Sequence, residues 1–410
     1  MTKTSELQPV TLPDKSRQPR AVWAITFAVV GVFMGIGIVS PILRPLATEM
    51  SATPAQVSLL FTGYMAVMGL AMIVTGAVSS RIGVRNTLLL GLFVIAVCAL
   101  GASVSGTIGQ VIGFRAGWGL GNALFVATAL AAIVAAASAT SKAITYYESA
   151  VGVGIAMGPL IGGVLGQISW RTSFLGSAAL IAVACVLLLV LLPRNASPGT
   201  PTPLVAPFRA LAHPGLLSVA LVSLLYHLGL FTLFAYTPFV LGYSAVHIGF
   251  LFSGWGVCLV ITSVYLAPRL RGLLGAIGAT TLMLVLFAAT LAVAAVFTDN
   301  PPTVATCIVV SGLFVGPLNT LVTEIGMDAA PVEGGTAAAA YSFVRFGGGA
   351  IAPWLATWAG EATNPHVPFA FVAGAALLAV GVLALGRRRL PDHHSRSVQV
   401  RQESSVSVVT

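Results

Sequence analysis

Apolar runs long enough to cross a bilayer follow one another along almost the whole chain, and they leave few folds open. A crossing helix needs about 20 predominantly apolar residues. Twelve such runs can be cut, at residues 22–42, 55–79, 87–106, 110–134, 143–166, 173–192, 215–238, 246–267, 274–297, 303–323, 334–358 and 367–386. In hydrocarbon every backbone polar group must be bonded internally, so runs of this length cross as helices. Only 8% of residues are charged and 57% are apolar, against about 25% charged in a soluble protein. A soluble globule is excluded at that level.

Residues 193–214 interrupt the series midway, with Pro193, Pro198, Pro201, Pro203, Pro207 and Gly199 among Ser and Thr. This stretch is too polar and too broken to span. The expected organisation is a tail at 1–21, a six-helix bundle at 22–192, a linker at 193–214, a second bundle at 215–386 and a basic tail at 387–410. No cleavable leader stands out in the polar N-terminal stretch, so the first run is expected to double as the insertion signal.

Twelve crossings put both termini on one side, and the basic residues say which. With the termini in the cytoplasm, sixteen of the 20 Lys and Arg fall in the tails, linker and inner loops, Arg81, Arg85, Lys142, Arg269 and Arg271 among them. The outer loops hold Arg44 and Arg171, while Arg115 and Arg345 lie within runs. The net charge of +9 thus reads as topology, and the Arg387–Arg389 triplet as a contact for lipid headgroups rather than nucleic acid.

The halves look related. A shift of 194 residues lays Tyr147 on Tyr341, Gly154 on Gly348 and Pro159 on Pro353, and a shift of 191 lays Leu60-Phe61-Thr62-Gly63 on Leu251-Phe252-Ser253-Gly254. A repeat of this kind places a cavity between two pseudo-symmetric bundles near the bilayer midplane. The fold class is therefore an all-α membrane protein of twelve transmembrane helices in two six-helix bundles.

The fifth run organises the rest. It opens on Tyr147, Glu148 and Ser149, and Gly154, Gly158 and Gly162 then recur every fourth residue, with Pro159 and Gly163 beside them. That spacing puts the three glycines on one helix face, and a face without side chains admits another helix to close backbone contact. Pro159 removes a backbone donor and favours a bend. Glu148 lies about 9 Å beyond Lys142 at 1.5 Å per residue, within a largely apolar run. Ionisable groups inside a membrane are expensive and mark relays or pathways by default. The bland alternative is a structural ion pair.

Other intramembrane polar groups are weighed in the same way. Arg345 in the eleventh run aligns with the depth of Val151, so Glu148 and Arg345 are expected to influence one another across the cavity; pairing of Arg345 with Glu324 or a helix end is the alternative. Arg115 in the outer half of the fourth run is either a fixed internal charge or an arginine snorkelling to the outer interface. Glu324, near Asp328 and Glu333, is an interfacial acid or an inner-gate partner for Arg81 and Arg85. Asn122, Tyr147, Tyr226, His227, Asn319 and Tyr341 are candidates for the substrate cavity, with helix–helix hydrogen bonding as the alternative. Trp23, Trp170 and Trp358 sit at run ends, where indoles anchor at headgroups. Cys98, Cys185, Cys258 and Cys307 have no paired spacing.

These features resemble the major facilitator superfamily, over roughly residues 20–390. Gly76-Ala77-Val78-Ser79-Ser80-Arg81-Ile82-Gly83-Val84-Arg85 resembles its loop signature, with Ser80 where an acid is usual. Arg115, Gly119 and Gly121-Asn122-Ala123 are similar to the motif linked with proton coupling. Gly154-x-x-x-Gly158-Pro159-x-x-Gly162-Gly163 is similar to the antiporter motif of drug:proton exporters. The resemblance implies export of small molecules against protons by a monomer in the bacterial inner membrane. It implies coupling through Glu148, Arg115 and Arg345 and gating by Arg81, Gly83, Arg85 and Glu324. Few ionisable groups line the runs, which favours apolar or amphiphilic substrates. A permease for one small organic solute or anion is the alternative, and a membrane sensor a more remote one. No phosphate-binding GxxxxGK[ST] loop, metal-ligand cluster or catalytic constellation appears, so neither an ATP-driven pump nor an enzyme is expected, and no cofactor.

Overall fold

The computed structural model describes residues 20–136, 140–192, 205–330, 334–387 and 390. Each half of the chain forms a bundle of helices. The first half holds α1 (Arg20–Gly37), which continues through a 3-10 turn at Ser40–Ile42 into α2 (Leu43–Glu49). It goes on with α3 (Pro54–Ile82), α4 (Val84–Ser103), α5 (Ile108–Ala136), α6 (Thr140–Ile168) and α7 (Trp170–Leu191). A short α8 (Ala206–Leu211) precedes the second half. That half holds α9 (Pro214–Leu241), α10 (Ala245–Ile261), α11 (Ala267–Val296), α12 (Pro301–Ala329), α13 (Gly334–Ser342), α14 (Ile351–Ala362) and α15 (Val367–Gly386).

Among the described residues, nine helical segments are long and apolar enough to cross a bilayer. One of them, Ala245–Val296, is two crossings, because the chain leaves helical geometry at Gly275 with φ 72°. The fourth run, α5, and the eleventh, α13 with α14, complete the twelve. The expected twelve-helix, two-bundle architecture is what the chain forms.

The helix ends follow from local chemistry. α3 starts at a reciprocal cap: the Gln56 amide donates to Thr53 Oγ1 (3.2 Å) and the Thr53 amide to Gln56 Oε1 (3.0 Å). Pro54 fills the first helical position, which needs no donor. α3 stops at Gly83, whose φ of 82° suits a residue without Cβ. Arg85 then donates to the last carbonyls of α7, Leu189 O (2.9 Å) and Leu192 O (3.0 Å). Arg171 does the same for Ser103 O (3.0 Å), the last carbonyl of α4. Cations at helix C-termini satisfy orphan carbonyls and oppose the dipole.

Three segments differ from the expected continuous runs. The first crossing breaks into α1, the 3-10 turn at Pro41 and α2, which carries Arg44 inside helix rather than in a loop. The eighth continues past Leu266 through a π-helical turn, Thr262–Leu266, so Arg269 and Arg271 stand on helix up to Gly275. The eleventh is split by a π-helical turn at Phe343–Gly348, which carries Arg345. Within the linker, α8 packs Ala210 against Leu216 and Ala340, a local hydrophobic contact that proline content conceals.

The two bundles meet along two helix pairs. α6 of the first bundle lies against α10 of the second, and α3 of the first lies against α14 and the π turn of the second. In the repeat alignment the fifth run corresponds to the eleventh and the second to the eighth. The two seams are therefore the same pairing generated twice, as a pseudo-two-fold requires.

Candidate functional site

α6 has two faces without bulk. On one, a Cβ added at Gly154 would sit 2.6 Å from Val30 O, and those at Gly158 and Gly162 would run into the Met34 and Ile38 backbone of the first crossing. The glycine period thus lets α1 lie directly on α6, as expected of Gly154, Gly158 and Gly162. The other face turns to the opposite bundle. A Cβ at Gly163 would meet Ala245 O at 2.6 Å, and one at Gly249 would meet Pro159 O at 2.6 Å. Further along, Gly256 abuts the Ala156 backbone and Gly152 the Val260 side chain. Pro159 also bears on Gly37, where a Cβ would lie 2.7 Å from its Cδ. One helix is thus seated on its own bundle by one stripe and on the other bundle by a second.

Arg115 is fully buried in α5, so the snorkelling alternative is excluded. Its guanidinium lies between two aromatic faces, 4.2 Å from the Tyr64 ring centre and 4.5 Å from that of Trp118. Nη2 donates to Gly35 O of α1 (2.9 Å), while Nε and Nη1 have no hydrogen-bond partner among the described residues. Asn122, about two turns on, donates to Tyr64 Oη (2.5 Å). Aromatic faces attract a desolvated cation by about 0.5–2 kcal/mol each. Arg115 therefore ties α1, α3 and α5 together at a point where no carboxylate meets it among the described residues.

Arg345 occupies the π turn of the eleventh crossing. Nε donates to His227 Nε2 (2.7 Å), and Nη2 donates to Asn319 Oδ1 (3.2 Å). Because His227 Nε2 accepts, its proton sits on Nδ1, which donates to Ser223 O (2.8 Å). Tyr226 Oη also donates to Asn319 Oδ1 (2.9 Å), and Ser223 Oγ to Tyr341 Oη (2.8 Å). Phe231 lies 5.5 Å from the His227 ring and stacks on Phe346 at 6.5 Å. Four of the expected cavity residues, Tyr226, His227, Asn319 and Tyr341, thus form one network with Arg345 inside the second bundle.

Other candidates stand apart. Glu324 pairs with Arg271 of its own bundle, so it pairs with neither Arg345 nor, in this conformation, with Arg81 or Arg85. Arg81 is exposed and Arg85 is spent on α7. The backbone of Glu148 lies in α6, but its side chain falls outside the described residues, as does Glu333; Tyr147 beside Glu148 is buried. Trp23 and Trp358 are exposed at 55% and 48%, as headgroup anchors would be, but Trp170 is buried at 1%. Arg171 covers its ring at 4.3 Å and removes it from the surface.

Sequence reasoning missed Tyr64, which holds both Arg115 and Asn122, and Ser223, which braces His227 and Tyr341. The available signal was a hydroxyl-bearing residue deep inside an apolar run, which needs a partner there.

Residues 25–353 match the family model described as Major Facilitator Superfamily. The chain belongs to that superfamily. A curated relative, the Multidrug efflux protein YfmO of Bacillus subtilis (strain 168), is 44% identical over 394 residues, covering 95% of this chain and 98% of its own. The Lincomycin resistance protein of Streptomyces lincolnensis is 27% identical over 188 residues, 44% of this chain and 39% of that one. The crystal structure of a D-xylose-proton symporter superposes with a TM-score of 0.74 at 14% identity, covering 89% of this chain and 96% of the other. At that identity the likeness is one of fold. As a superfamily member the protein is a multi-pass membrane transporter of small molecules.

Proposed function

We propose that this protein exports apolar or amphiphilic small molecules from a bacterial cell in exchange for protons. The observation that carries the reading is the full-length likeness to a multidrug efflux protein at 44% identity. The helix that bears the antiporter-type motif also bridges both bundles, which supports it. The orientation that follows from the Lys and Arg distribution puts both tails and the 193–214 linker in the cytoplasm, with the protein in the inner membrane. A single chain supplies both bundles of an alternating-access pathway, so the working unit is a monomer.

Glu148 is the proposed proton carrier, with Arg345 and Arg115 as fixed positive charges of the two bundles. A proton on Glu148 removes an intramembrane charge and biases one orientation of the bundles. Substrate shifts that equilibrium only by its unequal affinity for the two states. The polar network on Arg345 and the Asn122–Tyr64 pair offer donors and acceptors to an otherwise apolar pathway. Arg81, Gly83, Arg85 and Glu324 are proposed to meet when the inner end closes. The chain's own residues carry no reaction chemistry in this reading, so it is not an enzyme.

The test uses inside-out vesicles with an imposed pH gradient and a panel of lipophilic cations, neutral compounds and organic anions. Wild type should accumulate cationic or neutral amphiphiles, and Glu148→Gln should remove the dependence on the gradient. Gradient-driven flux unchanged in Glu148→Gln would refute the coupling role. Flux confined to one anion would favour the permease reading, which gains from Arg345 having neutral partners in His227 and Asn319.

A further inference from the structure

Three hydrogen bonds among the described residues cross between the bundles at the end that carries Arg44. Each runs from a side chain of one bundle to a backbone group of the other that has no partner in its own helix. The first begins with Pro238, inside α9. Proline has no N–H, so the carbonyl four residues back, Phe234 O, is left without its helical donor. Ser40 Oγ of the first bundle donates to that carbonyl at 2.5 Å, in a buried position. The second is at the C-terminus of α9, where Gly242 caps the helix in the left-handed conformation with φ 64°. Arg44 Nη1 donates to Gly242 O, placing a cation at the negative end of the helix dipole.

The third runs in the opposite direction. α3 begins at Pro54, and its Gln56 amide is held by the Thr53 cap. The Ala55 amide between them bonds to Glu361 Oε1 of the second bundle at 3.1 Å, placing an anion at the positive end of that helix. Each bundle thus caps a helix terminus of the other with the charge its dipole prefers. Neither Arg44 nor Glu361 spends its charge on an ionic partner among the described residues. By contrast, Glu49 in the same region pairs at 3.6 Å with Arg171 of its own bundle.

We propose that Ser40, Arg44 and Glu361 form a latch that sets the balance between the two orientations of the transporter. The latch closes this end by satisfying orphan backbone groups across the seam, and it must come apart when this end opens. The inference holds whatever the substrate and ion are. These are positioning residues: they act on the orientation of the bundles and do not touch the site around Arg345.

The test is hydrogen–deuterium exchange of the full chain in lipid nanodiscs, with no substrate. In Arg44→Ala/Glu361→Ala, uptake should rise at residues 38–50 and 234–247 and fall at residues 76–92 and 262–275, the opposite end. Loss of two charge-assisted bonds, partly replaced by water, should move the open-to-closed ratio roughly tenfold. Glu49→Ala should leave both ends unchanged. Ser40→Ala should give the same reciprocal pattern, and Pro238→Ala should shrink its effect, because residue 238 then returns a donor to Phe234 O. Unchanged uptake, a rise at the Arg44 end with no fall at the other, or a Ser40→Ala effect indifferent to residue 238 would each overturn the proposal. Should the double variant not fold, Glu361→Ala alone is read in the same way, its side chain being exposed.

Discussion

Two glycines in helix interiors predict opposite outcomes for the same substitution. Replacing glycine by alanine inside a helix gains about 0.5–1 kcal/mol of backbone entropy, and that gain is common to Gly158 in α6 and Gly381 in α15. Around Gly381 an added Cβ meets nothing within 4 Å. At Gly158 it would lie 3.2 Å from both the carbonyl carbon and the Cα of Met34, with Met34 O nearer still. That neighbour is helix backbone, so α1 as a whole must move. Overpacking of this kind costs about 1–3 kcal/mol, which outweighs the entropy gain. Gly381→Ala should therefore raise the melting temperature and Gly158→Ala should lower it by the equivalent of about 1–2 kcal/mol. At about 2–4 °C per kcal/mol for a unit of 150–250 residues, the two variants should separate clearly in thermal melts of the purified protein. Transport should follow for Gly158→Ala, because displacing α1 moves Gly35 O away from Arg115, and should be unaffected for Gly381→Ala. Equal stabilisation by both substitutions would refute the claim that the glycine period exists to seat α1.

Two further outcomes follow from the charged groups. Arg115→Lys keeps a buried cation but loses the planar fork that lies between Tyr64 and Trp118, whereas Arg115→Met removes the charge and keeps the volume. A buried charge without its partners is worse than an apolar replacement. Thermal melts should place the Lys variant below the Met variant, with transport impaired in both; the reverse order would count against this packing. Arg271 and Glu324 are 45% and 27% exposed, so their pairing is worth about 0–1 kcal/mol. Arg271→Glu should slow transport while changing stability little. The swap Arg271→Glu/Glu324→Arg should rebuild the pair but not the rate, because a cation at position 324 repels Arg81 and Arg85 when the inner end closes; full recovery of the rate would refute the proposed gate role of Glu324.

Much of this molecule is legible before any coordinates. The crossings follow from run length, because unpaired backbone groups are intolerable in hydrocarbon. The glycine period of α6 announces a smooth face, since four-residue spacing is a property of the helix alone. What that spacing leaves open is which helix fills the face, and α6 has two stripes with different partners. The partners of the charged groups were hidden for a related reason. Glu324 is near Asp328 and Glu333 in sequence, yet it meets Arg271, because the eighth crossing stays helical as far as Gly275 and carries that arginine to it. Trp170 sits at a run end like Trp23, yet an adjacent arginine roofs it over.

The amino-acid sequence alone determined the class of fold, the number of crossings and the lack of bulk along α6, since these depend on residue type and spacing along one chain. Tertiary structure alone decided which partner each buried charge and each unfilled carbonyl acquires. Arg345 is held by His227 and Asn319, from positions 118 and 26 residues away, and the carbonyl freed by Pro238 is met by a serine 194 residues before it. A low-dielectric interior leaves such groups no water to fall back on, so their need for a partner is local, while the partner itself comes from wherever the packing of helices brings one within reach.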